Sequence, residues 1–326
     1  MRETAFIKQN KEKWLEFEQA IFGNVKKNPD ELAGLYIHLM NDLSYAQTYY
    51  PKSKTTVYLN HLAARIYQKI YKTKRTEKNR VIYFFDTEVP LILYQYRRYL
   101  LYAFVLFFAL TAIGVLSAKY DDQFVRLILG DGYVNMTLQN IENGDPVAVY
   151  KNFSNWSGFI GITLNNLYVG MRCYIWGMFG GVGTFFIMLQ NCIMLGSFQY
   201  FFHEKGVLWE SLQGIWIHGA MEIFAIVIEC AAGFILGASI LFPKTYSRLN
   251  SFKIGFKDSF KIFLSTVPFT VAAGFLEGYV TRYSNQMYTF VNVFIILGTL
   301  SIISFYFLIY PFWVHKKMKN QLNKPL

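Results

Sequence analysis

From Tyr99 onward the chain falls into apolar blocks of about 20 residues, the length that carries an α-helix across ~30 Å of hydrocarbon. No other feature restricts the fold as strongly. In lipid every backbone N–H and C=O must be satisfied within the protein, which leaves helices or a closed barrel. Blocks this long and continuous suit helices. Composition agrees: 53% of the 326 residues are hydrophobic and only 16% are charged, against about 25% charged in soluble domains. The expected fold is all-α, a polytopic membrane protein with about six transmembrane helices and a helical cytoplasmic N-terminal region.

The spans are read as Tyr99–Ala118, Gly158–Met178, Gly183–Phe202, Ile215–Phe242, Ile262–Val280 and Tyr288–Trp313. GGVG between the second and third leaves room only for a tight hairpin. Residues 1–80 read as soluble helices, with Trp14, Phe17 and Ile21 at helical spacing. Asn28-Pro29 is a start signal for a second helix, and Pro51 separates that helix from one that runs to the basic KTKR. Residues 80–98, with Pro90 and the closing Arg97-Arg98, suit an interfacial elbow. The domain expectation is therefore 1–98 cytoplasmic, 99–314 transmembrane with an extracytoplasmic loop 119–157 holding one or two short helices, and 315–326 a basic cytoplasmic tail. No signal peptide is visible in residues 1–30.

Of 32 Lys and Arg residues, 17 lie in residues 1–98, 5 in 243–261 and 4 after 315. With six crossings all three regions share one side, and Lys and Arg mark the cytoplasm. The net charge of +11 thus reports orientation and attraction to anionic lipid, and nucleic acid is not an expected partner. Arg172 alone lies within a span, where its long side chain reaches the headgroups. Cys173, Cys192 and Cys230 form neither a disulfide framework nor a zinc pattern and read as core residues. Three Asn-x-Ser/Thr triplets, at Asn135, Asn152 and Asn155, read as chance occurrences.

Two residue sets carry the candidate site. Gly177/Gly181, Gly233/Gly237 and Gly274/Gly278 repeat Gly-x-x-x-Gly, which lets helix backbones approach closely. Helix packing is their expected role, within the bundle or between copies. The second set is polar and intramembrane: His218, Glu222 and Glu229 on the fourth span, Glu277 on the fifth, and Asn165 and Asn166 on the second. At about 100° per residue, Glu222 and Glu229 lie about 40° and about 20° from His218 on the helix wheel. Each carboxylate costs about 2.5–3.5 kcal/mol at the bilayer centre, so the set needs partners, protonation or a wet cavity. The spans place Glu277 at the depth of His218 and Glu222, and Glu229 deeper. The readings are a register-fixing polar network, a cation or proton pathway, a metal site at His218, Glu222 and Glu277, or a lipid or envelope-partner site. No catalytic motif stands out, and neither a cofactor nor a resident metal is expected.

The stretches HGAMEIFAIVIECAAGFILG, LFPKTYSRLNSFKIGFKDSFKIF and VPFTVAAGFLEGYVTR resemble the membrane core of the stage II sporulation protein M family. So do NNLYVGMRCYIWGMFGGVGTFFIMLQNCIMLGSF and the opening MRETAFIKQNKEKWLEFE. His218, Glu222 and Glu277 match positions that the family pattern carries, whereas Cys192 and Glu229 stand where it has Gly and a small residue. The resemblance implies a protein of the bacterial cytoplasmic membrane, and the Lys and Arg distribution places both termini of this multi-pass chain in the cytoplasm. The family's namesake is a scaffold for peptidoglycan-degrading enzymes during engulfment of a forespore. The functional expectation is a non-enzymatic scaffold or anchor for cell-envelope partners, embedded in the lipid bilayer and admitting homo-oligomers. The alternatives are a transporter or channel-like component using the His/Glu cluster, and an intramembrane metal-dependent hydrolase.

Overall fold

The computed structural model describes residues 2–22, 29–72, 79–146, 148 and 155–322, and the fold is helical with no strand among them. Asn28 and Asn152 lie outside the described residues, as do residues 73–75 of the basic run and the side chain of Ile21. Two compact units divide the chain, 1–80 and 81–326.

The first unit contains α1 (Glu3–Phe22), α2 (Pro29–Tyr49) and α3 (Lys54–Lys72). Phe6, Trp14 and Phe17 from α1 meet Leu39, Leu43 and Ala46 from α2 and Leu59, Leu62, Ala63 and Ile66 from α3. Trp14 is buried, and its indole N–H donates to Asp42 at 3.0 Å, which also pairs with Lys13 at 3.0 Å. Across the break at Pro51, the Ser53 and Thr55 hydroxyls donate to the Glu3 carboxylate. These donors hold the Glu3 pKa below its ordinary value. Their stabilisation is present above the usual carboxylate range and is lost as pH falls through the lowered pKa.

The second unit opens with the elbow: α4 (Arg80–Tyr83), a π-helical turn Phe84–Glu88 and α5 (Val89–Gln95). Proline cannot donate to the carbonyl four residues back and crowds it. Pro90 therefore disturbs the ladder at Asp86, and a π turn is the local result. Side chains of the last membrane helix take up the released acceptors. Tyr306 donates to the Phe85 carbonyl at 3.0 Å, and the Tyr310 hydroxyl, 3.2 Å from the Asp86 carbonyl, meets the Asp86 carboxylate at 2.5 Å. Lys261 meets Glu88 at 2.6 Å, completing the elbow's attachment. Tyr310→Phe is expected to cost about 1 kcal/mol, the net worth of a hydrogen bond, read from detergent unfolding of the purified chain.

Among the described residues, five helices are long and apolar enough to cross a membrane. They are α6 (Arg97–Tyr120), α10 (Val182–Glu204), α11 (Leu208–Leu241), α12 (Arg248–Tyr279, with its 3₁₀ extension to Tyr283) and the joined α13 (Thr289–Ser304) and α14 (Tyr310–Leu322). A second π turn, Phe305–Ile309, precedes Pro311 for the same reason as at Pro90. The expected second span is α9 (Asn155–Ile175), a 21-residue helix that is not among the five. Its polar residues, including Asn165, Asn166 and Arg172, dilute its apolar character, yet it packs against α10, α11 and α12. Between α6 and α9 the described residues include the short helices α7 (Phe124–Leu129) and α8 (Asp131–Glu142).

Two expectations change on folding. Residues 243–261 are not one loop: the chain turns at 243–247, and α12 begins at Arg248 with Ser247 as its N-cap. Gly177 and Gly181 do not share a helix face. α9 ends in a 3₁₀ turn, Trp176–Met178, and Gly181 is the N-cap of α10. Gly180 (φ 64°) and Gly181 (φ 84°) make the hairpin turn in left-handed conformation, which glycine adopts without steric penalty.

Candidate functional site

α11 is the axis of the membrane unit. α6, α9, α10, α12 and α13 all pack on it, and 20 of its 34 residues are buried. A helix apolar around most of its circumference seeks such surroundings. Its C-terminal half is built for close approach. A Cβ at Gly233 would overlap the Cys173 carbonyl and the Thr184 hydroxyl, and one at Gly237 would overlap backbone atoms of Gly180 and Gly181. Gly177 meets Gly233 backbone to backbone. On α12, Gly274 abuts Thr163, and a Cβ at Gly278 would come within 3.1 Å of Phe159 and the Asn155 carbonyl. Gly181 itself has more room, since a Cβ there would meet nothing nearer than Phe234 at 3.5 Å. Its constraint is the dihedral rather than the space.

The N-terminal half of α11 holds the polar residues. His218 is buried, and its Nδ1 lies 3.0 Å from the Thr281 hydroxyl. Its Nε2 faces Glu277 Oε2 at 3.7 Å. Glu222, one turn below His218, faces Asn166 of α9. One ligand atom from each of His218, Glu222 and Glu277 lies within 4.8 Å of the others. Asn165 donates to the Asn166 carbonyl oxygen at 3.3 Å. His218, Glu222, Glu277, Asn165 and Asn166 all line one cavity of about 420 Å³, with Asn191 and Cys192 of α10 on its other side.

Glu229 shares their helix face but not their cavity. It is buried, accepts a hydrogen bond from Thr266 at 2.7 Å and rests against Gly170, where a Cβ would overlap its carboxyl group. Glu229 therefore has its own accommodation on α9 and α12. The glycine and the threonine that receive it are single residues in other helices, and their pairing with Glu229 depends on tertiary structure. Thr281 is different. It follows Glu277 by one helical turn, so a partner for the His218 ring was open to a wheel argument.

A helical membrane bundle with an acid-and-imidazole cluster at its axis defines the class. The Stage II sporulation protein M pattern matches residues 103–282, and the chain belongs to that family. Residues 4–72, the three helices of the first unit, match a Domain of unknown function (DUF8413). No curated protein and no solved structure matches the chain.

Proposed function

We propose that the chain is a non-enzymatic scaffold of the bacterial cytoplasmic membrane, organising envelope partners through the parts that leave the bilayer. One observation carries this reading. The cavity beside the cluster runs along α11 from Ile215 to Cys230, and just beyond it Gly233 and Gly237 lie against the backbones of α9 and the hairpin turn. A conducting protein needs a path past this level, and close backbone packing opposes one. Family membership supports the same reading. The first unit, with its own core, is the natural platform for a partner. A photoreactive residue at Ile37 (61% exposed) or Val57 (70%) in native membranes is expected to give discrete adducts with another envelope protein. Adducts with neither another protein nor a second copy would contradict a scaffold.

The orientation proposed is six crossings with both termini cytoplasmic, α9 included. At 1.5 Å per residue, 21 residues reach about 31 Å, enough for the hydrocarbon layer. The basic first unit and the start of α12, with Arg248, Lys253, Lys257 and Lys261, then share the side where Lys and Arg concentrate. Ser251 is a poor reporter because its hydroxyl bonds the Ser239 carbonyl at 2.7 Å. Lys52→Cys and Thr245→Cys occupy exposed positions, and the three native cysteines are buried. Neither variant is expected to react with an impermeant thiol reagent until the cells are opened. Labelling of either in intact cells reverses the topology.

A further inference from the structure

We propose that His218, Glu222 and Glu277 form a binding site for one divalent transition-metal ion, with zinc the best-matched probe, inside the membrane unit. The inference goes beyond the scaffold reading, which requires no ion. One imidazole nitrogen and two carboxylate oxygens come from two helices and converge within 4.8 Å. The 3.7 Å between His218 Nε2 and Glu277 Oε2 is longer than a hydrogen bond. It is close to the ~3.4 Å separation expected of two ligands about 2.1 Å from a tetrahedral zinc. The Glu222 carboxylate closes the set by rotating its terminal torsion, which is broad.

The surroundings support coordination. Thr281 sits at 3.0 Å from Nδ1 of His218. With Nδ1 carrying the proton, Nε2 turns its lone pair toward the carboxylates, which is how outer partners orient metal-binding imidazoles. A further polar side chain beside the triad is turned into the same cavity. Asn166 is 7% exposed, and its buried Nδ2 is turned toward the Glu222 carboxylate without completing a well-formed hydrogen bond. Its Oδ1 is already engaged by Asn165, so the side chain offers a donor to the cavity that Glu222 and Glu277 also line. A water or small anion in the fourth position on the ion would accept that donor. Imidazole with carboxylates suits zinc and its transition-metal neighbours better than magnesium or calcium, which favour all-oxygen sets.

The test uses the full chain purified in detergent, stripped with a chelator, incubated with Zn²⁺ and desalted before elemental mass spectrometry. One zinc per chain is expected. His218→Ala and Glu277→Gln should fall to background, and Glu229→Gln, outside the triad, should retain the metal. Asn166→Leu should bind roughly 10–100-fold more weakly, as an outer partner. No zinc retained by the unaltered chain overturns the proposal, and so does retention undiminished in folded His218→Ala and Glu277→Gln. Should neither variant fold, Co²⁺ loaded into the unaltered chain decides. Visible absorption of a low-coordinate nitrogen–oxygen site supports the proposal, and the spectrum of hexaaqua cobalt refutes it.

Discussion

Gly237→Ala is expected to destabilise the chain by about 3 kcal/mol or more, at or above the usual upper end of overpacking. The methyl group would fall on backbone atoms of Gly180 and Gly181, with the Gly177 carbonyl 2.8 Å away. Backbone atoms of a packed turn cannot rotate aside as a side-chain end can. Gly298→Ala is the matched comparison, because a Cβ there meets nothing within 4 Å. In a helix interior, Gly to Ala by itself stabilises by about 0.5–1 kcal/mol, so the two substitutions should have opposite signs. Unfolding in detergent measures both. Equal stabilities would show that α11 is not gripped at this level.

The second large effect is a coupling. Gly170→Ala pushes a methyl group into the Glu229 carboxyl, and the acid has little freedom because Thr266 holds it at 2.7 Å. A loss of about 1–3 kcal/mol is expected for the single change. Glu229→Ala removes the obstructing group, so Gly170→Ala should be much better tolerated in that background. Contacting residues show interaction terms of about 0.5–3 kcal/mol, and this pair should lie well within that range. Thr266→Val leaves the buried carboxyl without its donor and should cost about 1–3 kcal/mol. Strict additivity of Gly170→Ala and Glu229→Ala would place the acid elsewhere.

The fold was legible wherever one physical constraint dominated. Spans of about 20 apolar residues announced α6, α10, α11, α12 and the last helix, because lipid permits little else. α9 was read as a span with the same apolar blocks, and its helix forms, although Asn165, Asn166 and Arg172 make it too polar to qualify by composition. Glycine spacing was ambiguous. Gly177 and Gly181 have the same four-residue period as Gly233 and Gly237, but only the backbone dihedrals reveal a turn. The basic segment after Pro243 read as loop from its charge, whereas its recurring phenylalanines at 252, 256 and 260 line one side of α12. In the site, the wheel brought His218, Glu222 and Glu229 to one face. It could not separate Glu229 from the cavity, since that depends on Gly170 and Thr266 in neighbouring helices.

The proposed scaffold role rests on the close backbone packing at Gly233 and Gly237, which opposes a conducting path, and ion flux measures this most directly. Purified chain reconstituted into liposomes, with a potential imposed and pH- or cation-sensitive dye inside, is expected to match protein-free vesicles. Gly237→Ala, if it inserts, should be the leaky one. Flux through the unaltered chain that Glu222→Gln abolishes would contradict the scaffold reading and make the cluster part of a transport route.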